Sequence, residues 1–335
     1  VKRSPVTLET VADFDNLAGA AISAGRGKRT RPEVEDFFAS FECNITRLRE
    51  RILSGAAPSG EMRQFRIFDP KERTISAPCF EDRVLHHALI NHIGPVIDRK
   101  MVDDSYACRT GKGCHAAIRR AQLFARRYRW FVKIDIRHYF AAIDHGILGS
   151  LLRRTFKDEG LRALTGRIVA DFETEPGKGL PIGSLTSQYF ANWYLDPLDR
   201  YLLEKTCARG LVRYMDDVVW WCDDGMSARK SLAGAIDFVG RELLLSVKGN
   251  PLVNRVGQGL PFCGMRIFPG AILLGKRRRR RFAERRRFWE NARQAGRIDS
   301  GKLQRSMDGV LGVTAGADAR SWRNRQLILR PAFDA

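Results

Sequence analysis

An α+β fold is predicted by three features of the sequence. Two apolar, β-prone runs, residues 130–140 and 213–222, read as strands, and both carry carboxylates in their interior. Segments with helical periodicity lie before, between and after them. The 335 residues, 44% of them hydrophobic, suffice for a sizeable core and more than one subdomain.

The net charge of +20 bears on partners rather than fold, and the natural polyanionic partner is nucleic acid. From Lys276 onward 17 basic and 6 acidic residues carry more than half of that charge, so the polyanion is expected against this end. Seven scattered cysteines without a CxxC spacing argue against both zinc and a disulfide framework. Cys108, Cys114 and His115 come nearest to a metal cluster and read as core or loop groups. The sequence has no apolar stretch long enough to span a membrane and no signal peptide at the Val1 end, from which a cytoplasmic location is expected.

The strand expected around Arg213-Tyr214-Met215-Asp216-Asp217-Val218-Val219-Trp220-Trp221-Cys222 contains two adjacent carboxylates. Burying them ionised in a core strand is costly unless a turn exposes them or a divalent metal neutralises them. The run Trp130-Phe131-Val132-Lys133-Ile134-Asp135-Ile136-Arg137-His138-Tyr139-Phe140 repeats the anomaly 81 residues upstream of Asp216. Phosphoryl transfer by two metals roughly 3.5–4 Å apart needs carboxylates converging from different strands. Asp135 and Asp216 meet that requirement.

Along the chain, residues 1–30 form an N-terminal extension ending in a basic loop, Ala24-Gly25-Arg26-Gly27-Lys28-Arg29. One amphipathic helix is expected from Pro32 to Leu53, closed by Gly55. Residues 65–78 read as two short strands around a turn, with Lys71 and Arg73 beside the bend. In a polymerase such a hairpin would lay positive side chains on the incoming triphosphate; the alternative is an exposed basic hairpin. The following helix carries His86, His87 and His92, to which no chemistry is assigned. Helices are expected near 145–156 and 161–172, and a Gly/Pro turn at 179–183 leads into another whose first backbone N–H groups can face a phosphate or simply be capped. A helix over 228–245, an edge strand over 245–248 and a hairpin over 260–270 follow. Lys276–Arg293 has 10 basic and 2 acidic residues with Phe282, Phe288 and Trp289 interleaved. It reads as a helix with one apolar seam and a basic surface for a duplex backbone, the alternative being a solvated or nuclear-localisation run.

Taken together, the YMDD string, the upstream aspartate strand and the order of the intervening segments resemble a reverse transcriptase over about 270 positions. The resemblance implies a right-hand polymerase with fingers (31–128), palm (129–275) and short helical thumb (276–335); with nothing after the thumb, no RNase H, maturase or endonuclease segment is expected. It implies a nucleotidyltransferase with two Mg2+ ions held by Asp135, Asp216, Asp217 and the backbone carbonyl of Ile136. Phe140 matches the aromatic beneath the sugar, Lys248 the basic residue after the palm helix, and Phe262–Phe268 the primer grip. Lys71, Arg73, Phe140, Ile182, Gln188 and Lys248 are thus candidate nucleotide contacts, and Arg277, Arg278, Arg279, Arg280, Arg281, Arg285 and Arg286 candidate nucleic-acid contacts. The expected partners are dNTPs and an RNA template with a DNA primer or RNA–DNA hybrid.

Within this family, Ile182-Gly183-Ser184-Leu185-Thr186-Ser187-Gln188 resembles the reverse transcriptases of diversity-generating retroelements, as do Asp82–Leu89 and Ala191–Asp199. That likeness implies errors at template adenines and a basic, oligomeric accessory variability protein as partner. Cys263 departs from the leucine common there. An antiphage defence reverse transcriptase would share every catalytic residue, and a catalytically idle RNA-binding scaffold is the alternative from another class.

Overall fold

The computed structural model describes residues 3–68 and 72–329, so Lys71 lies outside the described residues. The chain divides into two compact units. One comprises residues up to Arg109 with Asp135–Tyr201 and Gly234–Gly249, the other Thr110–Ile134, Leu202–Ala233 and the chain from Asn250 onward.

The N-terminal segment is more ordered than a loop-ended extension suggests. Thr7 and Thr10 form a reciprocal capping box on α1 (Leu8–Val11), and Asp13 caps α2 (Phe14–Gly25). Leu17, Ala20, Ala21 and Ala24 are buried on α2. The helix expected over Pro32–Leu53 is two, α3 (Pro32–Ala39) and α4 (Phe41–Ser54). Ser40 leaves helical geometry at φ −123° and ψ 49°, and Asn44 Nδ2 donates to the Phe37 carbonyl at 2.9 Å. The break lets the Phe37 ring meet Phe80 edge-on at 5.0 Å while Phe38 stacks on Phe41. Gly55 ends α4 in the left-handed conformation that a C-terminal glycine permits.

Strands β1 (Met62–Phe68) and β2 (Glu72–Pro78) pair antiparallel with Phe65 opposite Ile75. The long helix α5 (Phe80–Lys100) follows, and α2 packs along it. The chain then forms α6 (Cys114–Arg127), β3 (Trp130–Asp135), α7 (Tyr139–Ala142), α8 (His145–Thr155) and α9 (Glu159–Ala170). Next come α10 (Leu185–Tyr194), α11 (Asp196–Lys205), β4 (Gly210–Tyr214), β5 (Asp217–Cys222), α12 (Gly225–Glu242) and β6 (Leu252–Arg255).

One sheet has the order β4-β5-β3-β6. Phe131, Val132, Leu211, Val212 and Val218–Trp221 are essentially inaccessible, so both faces of its inner strands are covered and the strands read as unbroken apolar runs. Trp221 stacks on Phe124 of α6, and Trp220 Nε1 donates to Ser231 Oγ of α12 at 2.9 Å. The edge strand expected over 245–248 is instead a single bridge, Ile136 opposite Val247. Leu244 and Gly249, at φ 50° and 55°, turn the chain out of extended geometry on either side and leave no length for a ladder.

A three-stranded sheet is formed by β7 (Leu260–Phe262), β8 (Met265–Ile267) and β9 (Ile272–Leu274), antiparallel throughout. Three helices end the described chain, α13 (Lys276–Gln294), α14 (Ser300–Gly312) and α15 (Arg320–Leu329). No helix among the described residues is long and apolar enough to cross a membrane.

Candidate active site

The two carboxylates of the apolar run are placed at a turn. Tyr214 of β4 pairs with Asp217 of β5, so Met215 and Asp216 are the two loop residues of a tight hairpin. Such loops need φ > 0 at the first central position, and Met215 supplies it at 58° although it is not glycine. The cost of a left-handed residue with a side chain is roughly 1–2 kcal/mol and persists only where the surroundings enforce it. One enforcing group is Arg213, fully buried on β4, whose Nη1 donates to the Met215 carbonyl at 3.3 Å.

Asp135 is the last residue of β3, and β3 is the sheet neighbour of β5. Its carboxylate is 41% exposed and lies 3.4 Å from Lys248 Nζ. Its carbonyl accepts from Lys248 N at 2.8 Å, while Arg137 N donates to the Ser246 carbonyl. These two bonds flank the Ile136–Val247 bridge, which makes Ile136 the non-hydrogen-bonded member. Its own carbonyl is therefore turned away from Val247. Lys133, two residues before Asp135, donates to Asp217 Oδ2 at 2.8 Å and to the Pro261 carbonyl at 2.9 Å. Among the described residues no group of three or more His, Cys, Asp or Glu side chains is assembled as a ready metal cage. Carboxylates with a peptide carbonyl, the donor types expected from the sequence, are all oxygen and suit a hard divalent cation such as Mg2+.

The Ile182–Ser184 turn is fastened to the hairpin of β1 and β2. Ser76 N donates to the Ile182 carbonyl at 2.9 Å. Gly183 adopts φ 124°, and a Cβ there would stand 2.8 Å from Ile75 Cγ2 and 3.1 Å from the Ser76 carbonyl, so glycine is required. Ser184 Oγ bonds both His86 Nδ1 at 3.0 Å and Thr186 Oγ1 at 2.8 Å. Gln188 Oε1 accepts from Cys108 Sγ at 3.3 Å. His86, assigned no chemistry from sequence, thus holds the turn from α5.

Burial pushes the His86 imidazole down to about 4. Its contribution to stability is complete above the ordinary value of 6.5 and is lost as pH falls from there toward about 4, because the unfolded chain takes up the proton first. That window is worth at most roughly 3 kcal/mol. Denaturant titrations of the wild type should lose stability between pH 7.5 and 4.5 beyond what His86→Asn loses. Parallel curves for the two proteins would remove His86 from the linkage.

A family model described as reverse transcriptase (RNA-dependent DNA polymerase) matches residues 68–245, a little over half of the chain. The chain belongs to the reverse transcriptase family. Its mixed helices and sheets are those of the right-hand polymerase class to which that family's fold belongs. It is similar to Protein YkfC of Escherichia coli (strain K12), at 27% identity over 47% of this chain and 45% of that protein. It is also similar to the group II intron-encoded protein LtrA of Lactococcus lactis subsp. cremoris, at 25% identity over 57% of this chain and 34% of that one. The chain thus spans less than half the length of these relatives. Among solved structures it is similar to apo telomerase from Candida Tropicalis truncated from C-terminal domain, with 12% identity and a TM-score of 0.47, covering 65% of this chain and 56% of that chain.

The remaining candidate residues are spread over several elements. Phe140 lies in α7, half-buried and edge-on to Tyr139, and its carbonyl accepts from Leu180 N at 2.8 Å. Arg73 is exposed on β2 opposite Ile67. On α13 the expected seam is narrower than the aromatics suggest. Phe282, Arg286 and Glu290, spaced four apart, form the buried stripe, whereas Phe288 is 64% exposed. Arg286 falls on that stripe, pairs with Glu290 at 2.5 Å and donates to the Gln326 carbonyl. It therefore fastens α13 to α15 and is withdrawn from the phosphate contacts. Arg278 donates to the Cys263 and Val313 carbonyls and Arg279 to that of Leu274, which turns part of their donor capacity inward. Arg277, Arg280 and Arg285 are exposed and Arg281 half-buried.

Sequence reasoning missed Lys133, Arg213 and His86. The alternation of a strand puts Lys133 on the same face as Asp135, and that spacing was a usable signal.

Proposed function

We propose that this chain is an RNA-directed DNA polymerase that extends a DNA primer, or the DNA strand of an RNA–DNA hybrid, with dNTPs on an RNA template. One observation carries this reading: a carboxylate closes β3, and the next strand of the same sheet, β5, opens from the Met215-Asp216 turn. Asp135, Asp216, Asp217 and the Ile136 carbonyl would hold two Mg2+ ions, which would activate the primer 3'-hydroxyl and offset charge on the triphosphate. The protein's own residues do the rest. Lys248 and Arg73, with Lys71, bring positive charge to the triphosphate. Phe140 offers a flat apolar surface under the sugar, with no partner for a 2'-hydroxyl. Residues 31–128 serve as fingers, 129–275 as palm and 276–335 as thumb, the last laying Arg277, Arg280, Arg281 and Arg285 along the duplex backbone.

The finer assignment is to a diversity-generating retroelement, acting with an accessory variability protein and miscopying adenines. It is supported by the Ile182–Gln188 segment. Isoleucine at 182 offers no hydrogen bond to a nascent pair, and a loss of about 1.4 kcal/mol in discrimination is a tenfold rise in errors. Gln188, whose carbonyl oxygen already accepts from Cys108, is the second candidate. Sequencing cDNA made on a defined RNA should give adenine-biased errors in wild type and fewer in Ile182→Gln. An unbiased wild-type spectrum would reject the retroelement assignment. Equal spectra in the two proteins would take Ile182 out of it.

A further inference from the structure

We infer that Lys133 is a positioning residue that fixes the Asp217 carboxylate and the β7–β8 hairpin in one geometry, and that its charge weakens divalent-cation binding in the free enzyme. The inference rests on the polymerase reading for its effect on turnover, but not for its effect on metal affinity.

The geometry is that of a bridge with little slack. Lys133 Nζ lies 2.8 Å from Asp217 Oδ2, 2.9 Å from the Pro261 carbonyl and 5.9 Å from the centre of the Phe262 ring. Its side chain is only 18% exposed and that of Asp217 23%. The two backbone anchors are rigid. Val132 and Ile134 on either side of Lys133 are buried in the central sheet, and Leu260 and Phe262 on either side of Pro261 are buried in the three-stranded one. An ammonium is a compact charge with three donors, and here two of them join the first residue of β5 to the middle of β7.

Two consequences have opposite signs. The first is electrostatic: a fixed positive charge beside Asp217 opposes any cation approaching the carboxylates, so its removal should tighten cation binding. The second is positional, since Lys133 ties the β7–β8 hairpin to the strand that opens at Asp217. Without the bridge, that hairpin loses one of its ties to the Asp216-Asp217 turn, and a misplacement of about 1 Å can cost a hundredfold in rate. A residue that merely filled space would move neither quantity in this pattern.

The test pairs Lys133→Met with Lys133→Arg. Mn2+ binding to the full chain without nucleic acid, followed by electron paramagnetic resonance, should tighten by about tenfold in Lys133→Met and stay at the wild-type value in Lys133→Arg, which keeps the charge. At saturating dNTP, kcat should fall by about 10- to 100-fold in Lys133→Met with KM for dNTP little changed. It should fall by about 10-fold in Lys133→Arg, whose planar fork cannot reproduce both contacts. Unchanged Mn2+ affinity in Lys133→Met, or wild-type kcat in either variant, overturns the inference. If Lys133→Met does not fold, the kcat of Lys133→Arg decides. Asp135→Asn run alongside separates the two readings: full activity there defeats the polymerase mechanism, while the Mn2+ measurement still judges Lys133.

Discussion

Asp135→Asn is expected to lower cDNA synthesis by about a thousandfold or more while leaving the protein folded. The loss follows from the role of the group, because an amide cannot supply the negative charge that would hold a divalent cation against the reacting phosphate. The stability side is a balance of small terms. Asp135 and Lys248 form a half-exposed pair at 3.4 Å, and surface pairs of this kind contribute about 0–1 kcal/mol. The Asp135 carboxylate is 41% exposed, so replacing it with an amide of the same shape leaves no polar group buried without a partner. Thermal melting of the metal-free variant should therefore fall close to the wild type. A variant that melts normally and still extends primers at a tenth of the wild-type rate would remove Asp135 from the metal site.

Replacing Arg277, Arg280, Arg281 and Arg285 together by Gln should flatten the dependence of log affinity on log salt. Each lost phosphate contact removes about 0.9 from the slope on B-form DNA and comparably on a hybrid, so four remove about 3.6. Between about 50 and 200 mM salt the wild type should then lose about a hundredfold more affinity than the variant. The same change at Arg286 is expected to act on folding instead, because its guanidinium is buried against Glu290. An unchanged slope in the fourfold variant would assign these four arginines of α13 to solubility or to a protein partner.

Those arginines mark where a sequence is legible and where it is not. A run of basic residues announces a charged helix, but whether one of them faces the core depends on a four-residue spacing from Phe282 to Arg286 to Glu290 that the composition conceals. The strands around Asp135 and Asp216 were readable because a carboxylate in an apolar run is an energetic contradiction that needs an explanation. His86 and Arg213 carried no such contradiction. A histidine beside another histidine on a helix looks like surface, and its burial against Ser184 arises only when α5 meets the 182–184 turn. The split at Ser40 was hidden for a similar reason: the apolar spacing runs through it unbroken, and the fit of Phe37 against Phe80 selects two helices over one. The single bridge at Val247 falls short of the expected strand because local propensity does not register the left-handed residues that bracket it.

The most direct measurement is extension of a labelled DNA primer on a generic RNA template by the wild-type chain with dNTPs. Full-length, template-complementary DNA that appears with Mg2+, disappears with a chelator and is absent with Asp216→Asn is the expected result. Template and primer that are bound but never extended, in Mg2+ or in Mn2+, would contradict it and leave an RNA-binding scaffold that keeps the form of a polymerase without its reaction.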